Sequence, residues 1–353
     1  MAGRLVAQSR HQLEPLFVDP FGEAELVVCS QNLDNYGLYN DTKIRNRKIS
    51  FPEDYEAKEA ALLRRFVKNK CDVIALQEII AKDIETGKKV LKQLARGLKV
   101  RTNRIFDIRV APSNDKMIRV GYLVARDRAS IAGTLSYARV ELPKLTPDEK
   151  QRDFSRGPYE IQLHVKPKGD SYPKTVVLVT FHFKSKRGGK GDPARLEYET
   201  YRMEMAEALR RVVEGRHSAA FTVGEKILVV LGDRNSHFDS ASARILEGRL
   251  TLAHFQKGGV CRLSKRGVPL CQSGAQVAAR LFSVLTRDPQ LRSVPGTIKY
   301  RGVYSWIDDI LMPAESLRFA RVEPNKEGDY DSGVDFSYEK ASDHALVWVR
   351  LNW

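Results

Sequence analysis

The sequence lacks the features that mark membrane-spanning, zinc-stapled and repetitive proteins. No stretch of its 353 residues approaches the ~18 consecutive apolar residues that a membrane-spanning helix requires. The four cysteines form no Cys-x-x-Cys pair, which excludes a zinc ribbon and a thioredoxin-like motif. No period of ~20 to 50 residues recurs, which argues against a solenoid or a propeller. We therefore expect a soluble globular chain without a membrane span.

A signal peptide is also missing, because the amino terminus has no basic segment followed by an apolar one. Cys261 and Cys271 flank a stretch rich in Gly, Lys and Arg that resembles a loop. Two states suit these cysteines equally: a local disulfide that ties the loop down, or two unpaired thiols. A disulfide would favour a secreted protein. The sequence thus leaves the compartment open, with a lean towards secretion.

Acidic residues are scarce relative to basic ones. The chain has 59 Lys and Arg against 44 Asp and Glu, which gives a formal net charge of +15. Such a surplus creates positive potential over much of the surface and favours polyanionic partners. Nucleic acid is the first of these, ahead of anionic membrane surfaces and heparin-like polymers. A basic surface that is merely solvated is the alternative.

What the chain does contain is an alternation of strand and helix patterns. Apolar, β-branched runs predict strands at 25–30, 72–76, 118–124, 159–165, 175–183, 226–231, 306–312 and 345–351. Helical periodicity predicts helices at 52–68 and 193–213. The run at 226–231 includes the start of the sequence ILVVLGD, which begins at residue 227. The first five positions of this sequence are all apolar, as in a strand buried on both faces. We predict one α/β domain over 1–353, with its core at about 25–353 and an extension at 1–24.

Polar residues suited to binding a metal or a phosphate follow nearly every predicted strand. These are Asn32, Asp34, Glu78, His182, Asp233, Asn235, Asp308, Asp343 and His344. Each alone is most often an ordinary surface residue, but six strand boundaries carry such residues. Their joint occurrence predicts a catalytic or binding site at the strand ends.

The oxygen-rich members of this set suit a hard divalent cation. Asn32, Glu78 and Asp308, with Asp34 nearby, offer the ligand type that Mg²⁺ prefers. The lack of a His/Cys cluster argues against zinc. His182 and His344 follow different strands and can donate to phosphate oxygens or to a leaving group.

Six motifs carry a resemblance to a known family. SQNLDNYG, ALQEI, TFHFKSKRGG, LGDRNS, WIDDIL and SDHALV occur in this order between about residues 26 and 351. The ordered set resembles the endonuclease/exonuclease/phosphatase superfamily, and HFKSKRGG with RVGYLV is most similar to its bacterial extracellular nucleases. The resemblance implies an α/β (α+β) fold, a four-layer αββα sandwich of two packed mixed β-sheets with the active site at one sheet edge.

The resemblance also implies metal-binding roles. Glu78 resembles the principal metal ligand, assisted by Asn32 and Asp34, and Asp343 supports the site. The implied metal is Mg²⁺ or Mn²⁺, with Ca²⁺ as a possible added structural ion.

The catalytic and phosphate-binding roles follow from the same resemblance. Asp233 would orient or deprotonate the attacking water, Asn235 would hold the phosphate or Asp233, and His344 would stabilise the phosphoryl oxygens. Asp308 would pair with His344 or reach the metal. His182 resembles a second catalytic histidine. Cations that would contact the phosphate backbone are Arg156 in the segment FSRGP, Lys184, Lys186, Arg187 and Lys190.

Two positions depart from the family pattern. Arg234 stands where an aromatic residue is usual, and Asp309 stands where His, Tyr or Arg is usual. We expect Arg234 to add positive charge beside Asp233. For Asp309 an extra metal ligand and a solvated carboxylate both remain open.

These observations predict a Mg²⁺-dependent nuclease, most specifically a monomeric DNA endonuclease that works by in-line attack of an activated water. A lipid or small-molecule phosphoesterase is the alternative, and an exposed apolar hairpin, which the sequence does not indicate, would favour it. A non-enzymatic polyanion-binding protein is disfavoured by the intact catalytic set.

Overall fold

The structure is a computed structural model that describes residues 25–166, 174–186, 198–223, 226–300, 302–323 and 328–353. The extension expected at 1–24 lies outside the described residues. No helix in the described ranges is long and apolar enough to cross a membrane.

The strands of the described residues are, in chain order, β1 (Glu25–Tyr36), β2 (Val73–Ile80), β3 (Phe106–Val110), β4 (Ile118–Ala125), β5 (Ala129–Ser136), β6 (Tyr159–Val165), β7 (Lys174–His182), β8 (Ile227–Asp233), β9 (Cys261–Leu263), β10 (Pro269–Cys271), β11 (Leu281–Ser283), β12 (Ile298–Tyr300), β13 (Val303–Ser305), β14 (Asp308–Pro313), β15 (Ser332–Asp335) and β16 (Leu346–Asn352). The helices are α1 (Tyr39–Arg45), α2 (Pro52–Lys68), α3 (Ile84–Thr102), α4 (Glu199–Arg216), α5 (Ser218–Thr222), α6 (Ala241–Leu246), α7 (Val284–Arg287) and α8 (Ala314–Leu317).

Two six-stranded sheets form the centre of the fold. The first has the order β15-β16-β1-β2-β4-β3 and the second the order β11-β14-β8-β7-β6-β5. The neighbours β1 and β2 run parallel, as do β7 and β8, while the other pairs within the two sheets are antiparallel. Both sheets are therefore mixed, as predicted.

Alternating side chains of the strands divide the core into layers. Val28 and Val73 of the first sheet pack with Leu178 and Val229 of the second in one cluster between the sheets. On the outer face of the first sheet a second cluster includes α2 and α3 residues. On the outer face of the second sheet a third cluster includes α4 and α6 residues. The arrangement is the predicted four-layer αββα sandwich, and it explains why the central strands are apolar at consecutive positions.

The predicted elements agree well with those observed. All eight predicted strands are present, as β1, β2, β4, β6, β7, β8, β14 and β16. Helix α2 has the predicted bounds, with Pro52 in its first turn and the Asp54 side chain accepting a hydrogen bond from the Phe51 backbone amide. The second predicted helix is observed as α4, and the part of it at 193–197 lies outside the described residues.

One exposed hairpin was not predicted from the sequence. Strands β12 and β13 form a separate two-stranded hairpin. It exposes Tyr300, Val303 and Tyr304, which are 38%, 67% and 37% accessible. A run of three residues per strand with mixed polarity is too short to be recognised as a hairpin from the sequence.

The four cysteines form two disulfides, Cys29–Cys71 and Cys261–Cys271. The second decides between the two alternatives left by the sequence: it joins β9 to β10 across the loop. The first was not predicted. It joins Cys29 in β1 to Cys71, which lies two residues before β2 begins, and both cysteines are buried.

Candidate active site

Strand register brings three of the predicted catalytic residues side by side in the second sheet. His182 at the end of β7 is paired with Asp233 at the end of β8. Asp233 is in turn paired with Asp308 at the start of β14. All three are at least 97% buried. The carboxyl ends of β7 and β8 therefore meet the amino end of β14 at one edge of the sheet, as expected from the sequence.

Glu78 reaches the same edge from the first sheet through an irregularity in β2. The pairing of β2 shifts between Leu76 and Ile79, and Glu78 lies in the left-handed region with a φ of 58°. A non-glycine residue in this conformation is typical of strained functional positions. The Glu78 side chain is 19% exposed, and Oε2 accepts a hydrogen bond of 2.9 Å from the Asn35 backbone amide. Burial raises the pKa of Glu78, and the negative charge of Asp34 adds to the rise.

Asn32 joins the two sheets at this edge. Its Nδ2 donates a hydrogen bond of 3.0 Å to Asp233 Oδ2, and its Oδ1 accepts one of 3.0 Å from the Asp34 backbone amide. Asp34 and Asn35 follow with φ values of 50° and 56°. β1 thus has an irregularity between Asn32 and Tyr36, after which Tyr36 pairs again with Ile79 of β2.

Asp34 lies between two lysines. Its Oδ2 is 3.0 Å from Lys48 Nζ and 3.8 Å from Lys58 Nζ. Lys58 is 2% exposed and also donates to the Ala341 carbonyl oxygen at 2.7 Å. Burial lowers the pKa of Lys58 to about 8. The role of Asp34 as a metal ligand stays a prediction, since its charge is already balanced by these ammonium groups.

His344 and Asp308 form a buried pair. His344 Nδ1 is 2.9 Å from Asp308 Oδ2. Burial alone would lower the pKa of His344, but the charge of Asp308 and the hydrogen bond to it outweigh burial and raise that pKa well above its ordinary value. The backbone is fixed as well, because Thr297 Oγ1 accepts from the Asp308 amide at 2.9 Å and Ser342 Oγ accepts from the His344 amide at 3.1 Å. Of the two alternatives for Asp308, pairing with His344 is the observed contact.

Asn235 holds Asp233 in place. The Asn235 backbone amide donates to Asp233 Oδ1 at 2.7 Å, and Asn235 Nδ2 donates to Asp233 Oδ2 at 3.1 Å. Asn235 has a φ of 53°, so the chain turns sharply after β8. Burial raises the pKa of Asp233 to about 7, and the neighbouring Asp308 carboxylate contributes to the rise.

Arg156 lies beside His182 as the phosphate-clamp prediction requires. Arg156 Nη1 is 3.5 Å from His182 Nε2 and donates to the Phe183 carbonyl oxygen at 2.9 Å. Burial, followed by the Arg156 charge, lowers the pKa of His182 well below its ordinary value, so the imidazole is neutral at pH 7. His182 Nδ1 and Arg156 Nε have no hydrogen-bond partner among the described residues. Arg156 Nε does lie 3.8 Å from Asp115 Oδ2, an ion pair that balances part of the Arg156 charge, and the ring atom of His182 nearest Asp233 is Nε2, at 3.5 Å.

The remaining predicted cations follow His182. Lys184 Nζ lies 4.7 Å from the centroid of the Tyr198 ring. Burial lowers the pKa of Lys186, and the charge of Arg202 adds to this effect. Arg187 and Lys190 lie outside the described residues. Asp343 is half-buried next to His344, and its carbonyl oxygen accepts from the Lys299 amide at 3.2 Å.

The two departures from the family pattern explain each other, and the expectations for both were wrong. Arg234 Nη1 and Asp309 Oδ2 form an ion pair of 2.7 Å, and each side chain is 1% exposed. Asp309 Oδ1 also accepts from Ser283 Oγ at 2.6 Å. Asp309 is therefore neither a metal ligand nor a solvated carboxylate, and the charge of Arg234 is balanced by Asp309.

A basic segment at 43–48, which was not among the predicted phosphate contacts, is connected to the site. The residues Lys43, Arg45, Arg47 and Lys48 are all exposed. Asn46, in the middle of this segment, donates from Nδ2 to the Asp34 carbonyl oxygen at 2.6 Å. The signal was visible as four cations within six residues directly after the first motif. The segment places positive charge on the first-sheet side of the site.

The donor set fits a divalent cation. Asp233, Asp308 and His344 each offer a ligand atom, and these atoms lie within 4.8 Å of one another. Glu78 adds a carboxylate whose pKa is raised chiefly by burial, against the lowering effect of His344 and Arg156. Carboxylates with one imidazole and no thiolate suit a hard cation that prefers oxygen. A divalent metal ion can therefore be held at this edge.

Comparison with known proteins supports the fold. No family model and no curated protein sequence matches the chain. An endonuclease/exonuclease/phosphatase family protein from Bacteroides thetaiotaomicron is 14% identical with a TM-score of 0.52, over 94% of this chain and 98% of its own. A mannosyl-6-phosphatase from the same bacterium is 14% identical with a TM-score of 0.51, over 93% and 100%.

The catalytic domain of human nocturnin is 12% identical with a TM-score of 0.51, over 94% of this chain and 95% of its own. At this level of identity the likeness concerns the fold. The chain has the fold of the endonuclease/exonuclease/phosphatase superfamily, and the resemblance inferred from the six motifs is confirmed to that extent.

Proposed function

We propose that this protein is a divalent-metal-dependent phosphodiesterase that hydrolyses nucleic acid, with internal bonds of DNA as its main substrate. The observation that carries the proposal is the position of the acidic site between two groups of cations. On the first-sheet side, the exposed segment that contains Arg45 and Arg47 is bonded to the site through Asn46 and the Asp34 carbonyl oxygen. On the second-sheet side, Arg156 lies 3.5 Å from His182, and Lys184 follows His182 by two residues. A small phosphoester can contact only one of these two groups of cations. A nucleic acid carries a negative phosphate on every nucleotide, so it can contact both groups at once.

The metal would be held by Glu78 with Asn32 and Asp34, and Asp233, whose carboxylate accepts a hydrogen bond from Asn32, lies close enough to contribute. When bound, Mg²⁺ or Mn²⁺ would neutralise the phosphate oxygens and polarise the phosphorus centre. The roles of Asp233, the two histidines and Arg156 are supported by their hydrogen bonds and burial.

Asp233 is the acceptor for the proton of the attacking water. Asn32 and Asn235 hold its carboxylate with hydrogen bonds of 3.0 and 2.7 Å, so that its orientation is set before substrate arrives. A pKa of about 7 matches that of an effective general base near neutral pH.

The two histidines and Arg156 act on the phosphate. Asp308 keeps His344 protonated and oriented, so His344 can donate a hydrogen bond to a phosphoryl or leaving oxygen. His182 stays neutral and donates to the phosphate together with the neighbouring Arg156. Fixed donors of this kind stabilise the charge that develops in the transition state.

A phosphoesterase for lipid or small phosphoesters is the second candidate. One observation favours it: a fold neighbour is named a mannosyl-6-phosphatase. The same catalytic groups would serve either substrate class. The cations outside the centre are the support for nucleic acid as the substrate.

The direct test incubates supercoiled plasmid, linear duplex DNA and single-stranded RNA with the protein in Mg²⁺, in Mn²⁺ and in EDTA. We expect metal-dependent nicking of the plasmid, loss of nicking in His344→Ala, and retention in His164→Ala, which alters an exposed histidine of β6. Survival of all three polymers alongside cleavage of a sugar phosphate or a sphingolipid would establish the second candidate instead.

The salt dependence of KM tests separately whether the basic segment at 43–48 contacts phosphates. The double variant Arg45→Ala/Arg47→Ala should reduce the slope of log KM against log salt by about 2, because two phosphate contacts are lost. The matched control is Lys89→Ala/Lys92→Ala on α3, where both lysines are exposed. Equal slopes in the two double variants would rule out the segment as a phosphate contact.

A further inference from the structure

The hairpin of β12 and β13 presents aromatic and cationic groups next to the catalytic pair. Tyr300 and Tyr304 are 38% and 37% exposed, and Val303 at the tip is 67% exposed. Gly302, in the turn, has a φ of 81°, which favours glycine. Neither the catalytic set nor the core clusters account for these exposed side chains.

The base of the hairpin is fastened to both members of the His344–Asp308 pair. Thr297 donates its backbone amide to the Ser305 carbonyl oxygen at 2.8 Å, while Thr297 Oγ1 accepts from the Asp308 amide at 2.9 Å. Ile298 forms a β-bridge with His344. The hairpin therefore has a fixed position beside the group that would donate to the phosphate.

The exposed surface has a composition suited to nucleotides. Lys299 Nζ lies 5.5 Å from the centroid of the Tyr304 ring. Phe336 supports Tyr304 edge-on, with ring centroids 5.7 Å apart at 87°. A buttressed aromatic ring with a cation next to it offers a stacking face for a base and a charge for its phosphate.

We infer that this hairpin is a base-binding platform, on which Tyr304 stacks with a base adjacent to the scissile phosphate and Lys299 pairs with a neighbouring phosphate. The inference rests on the proposed function. It further predicts a preference for strands with unpaired bases near the cleaved bond, because a base within a duplex is already stacked on its neighbours.

A membrane is the competing occupant of this surface. Interfacial insertion relies on a broad face of large apolar side chains. Here the tip offers one aliphatic residue, Val303, and the two tyrosines carry polar hydroxyl groups. The small apolar area and the adjacent Lys299 favour a nucleotide.

The test compares two substrates in three variants. The substrates are a 12-nucleotide single-stranded DNA and methyl p-nitrophenyl phosphate, which carries no nucleobase. Tyr304→Ala should raise KM for the oligonucleotide roughly tenfold more than KM for the small diester, in line with the loss of one base stack. Tyr304→Phe should restore the oligonucleotide KM, because the ring is kept. Val100→Ala, an 85% exposed position of α3, is the control for surface substitution.

A second position guards against misfolding, since Tyr304 packs on Phe336. Lys299→Ala, which alters the cross-strand partner of Tyr304 on the same face of the hairpin, should show the same substrate selectivity, with thermal unfolding measured for each variant. Equal effects of Tyr304→Ala on both substrates would overturn the platform. So would a loss of binding to phosphatidylserine vesicles without a change in oligonucleotide cleavage.

The same experiment separates the two proposals. If the unaltered protein cleaves no nucleic acid but does cleave the small diester, the proposed function fails and the platform fails with it. If the unaltered protein cleaves the oligonucleotide and neither Tyr304→Ala nor Lys299→Ala changes its KM, only the platform fails.

Discussion

Asn32 Nδ2 donates a hydrogen bond of 3.0 Å to Asp233 Oδ2, and this bond joins the two sheets at the active-site edge. The residues are 201 positions apart in the chain, and both are buried. Because a carboxylate in low-dielectric surroundings depends on its few donors, the orientation of Asp233 depends on the packing of the first sheet against the second.

Replacing Asn32 by Ala should remove the hydrogen bond that orients the Asp233 carboxylate from the first sheet. We expect kcat on a chromogenic phosphodiester to fall about 10- to 1000-fold and the free energy of unfolding to fall by about 1 to 3 kcal/mol, since a buried acceptor loses a donor. The matched control is Asn69→Ala, which removes an amide–carboxylate bond of 2.7 Å to Asp335 outside the catalytic set. Its stability should fall while kcat is kept. Equal kcat values for the two variants would contradict the role of Asn32.

Glu78 should dominate metal affinity. In Glu78→Gln the shape is kept and the charge is lost, so the Kd for Mn²⁺ measured by calorimetry should rise by at least about 100-fold. Glu85→Gln provides the comparison, because Glu85 is 76% exposed and pairs with Lys88 on α3. An unchanged Kd in Glu78→Gln would show that the cation is held elsewhere.

Metal binding should depend on pH through Asp233. Burial and Asp308 raise the pKa of Asp233 to about 7, so below this pH a proton competes with the cation for the carboxylate cluster. The Kd for Mn²⁺ should rise up to tenfold for each pH unit below about 7 and level off above it. In Asp233→Asn the step near pH 7 should disappear. A flat profile between pH 6 and 8 in the unaltered protein would refute this coupling.

Glu160 should make stability sensitive to acid. Burial opposes its ionisation, but hydrogen bonds from His217, Gln162 and Tyr137 outweigh burial and lower the pKa of Glu160 to about 2. Since the folded pKa is below the usual value of 4.5, the stabilisation is fully present above pH 4.5 and is lost as the pH falls towards 2.

Glu160→Gln should accordingly lower the free energy of unfolding at pH 7 by about 2 kcal/mol, with the difference from the unaltered protein shrinking below pH 4.5. Urea titrations at pH 7, 4 and 3 measure this. Glu149→Gln, at a 39% exposed carboxylate, should show almost no difference at any pH. A gap between Glu160→Gln and the unaltered protein that stays constant with pH would contradict the lowered pKa.

The two disulfides predict how many free thiols the protein contains and which disulfide contributes more to the free energy of unfolding. The denatured, unreduced protein should give no titratable thiol. Because the Cys29–Cys71 bond spans 42 residues and Cys261–Cys271 spans 10, alanine pairs should cost about 4 and about 3 kcal/mol respectively. Two disulfides are typical of an oxidising compartment, so recovery of free thiols from the native source would also count against the expected secretion.

Local patterns predicted much of the fold but missed α3. Gly87 and Gly97 lie within this helix and weaken its helical pattern. A Cβ at Gly87 would lie 2.8 Å from Val110 Cγ1, and one at Gly97 would lie 2.4 Å from Leu63 Cδ1. The glycines thus allow α3 to approach β3 and α2, a requirement that appears only when the layers are assembled.

The candidate site shows the same division. The types and order of Glu78, Asp233 and His344 followed from the sequence because each residue adjoins a strand with its own apolar signature. The Arg234–Asp309 pair did not, because the two residues are 75 positions apart in the chain and meet only through the β8–β14 register.

By itself the sequence determined the layered α/β architecture, the excess of positive charge and the set of polar residues at the strand ends. Tertiary structure decided which of these residues touch: Asn32 with Asp233, Asp308 with His344, and the hairpin with both halves of that pair. The physical reason is that strand formation depends on local periodicity, whereas contacts between strands depend on the register and packing of two whole sheets.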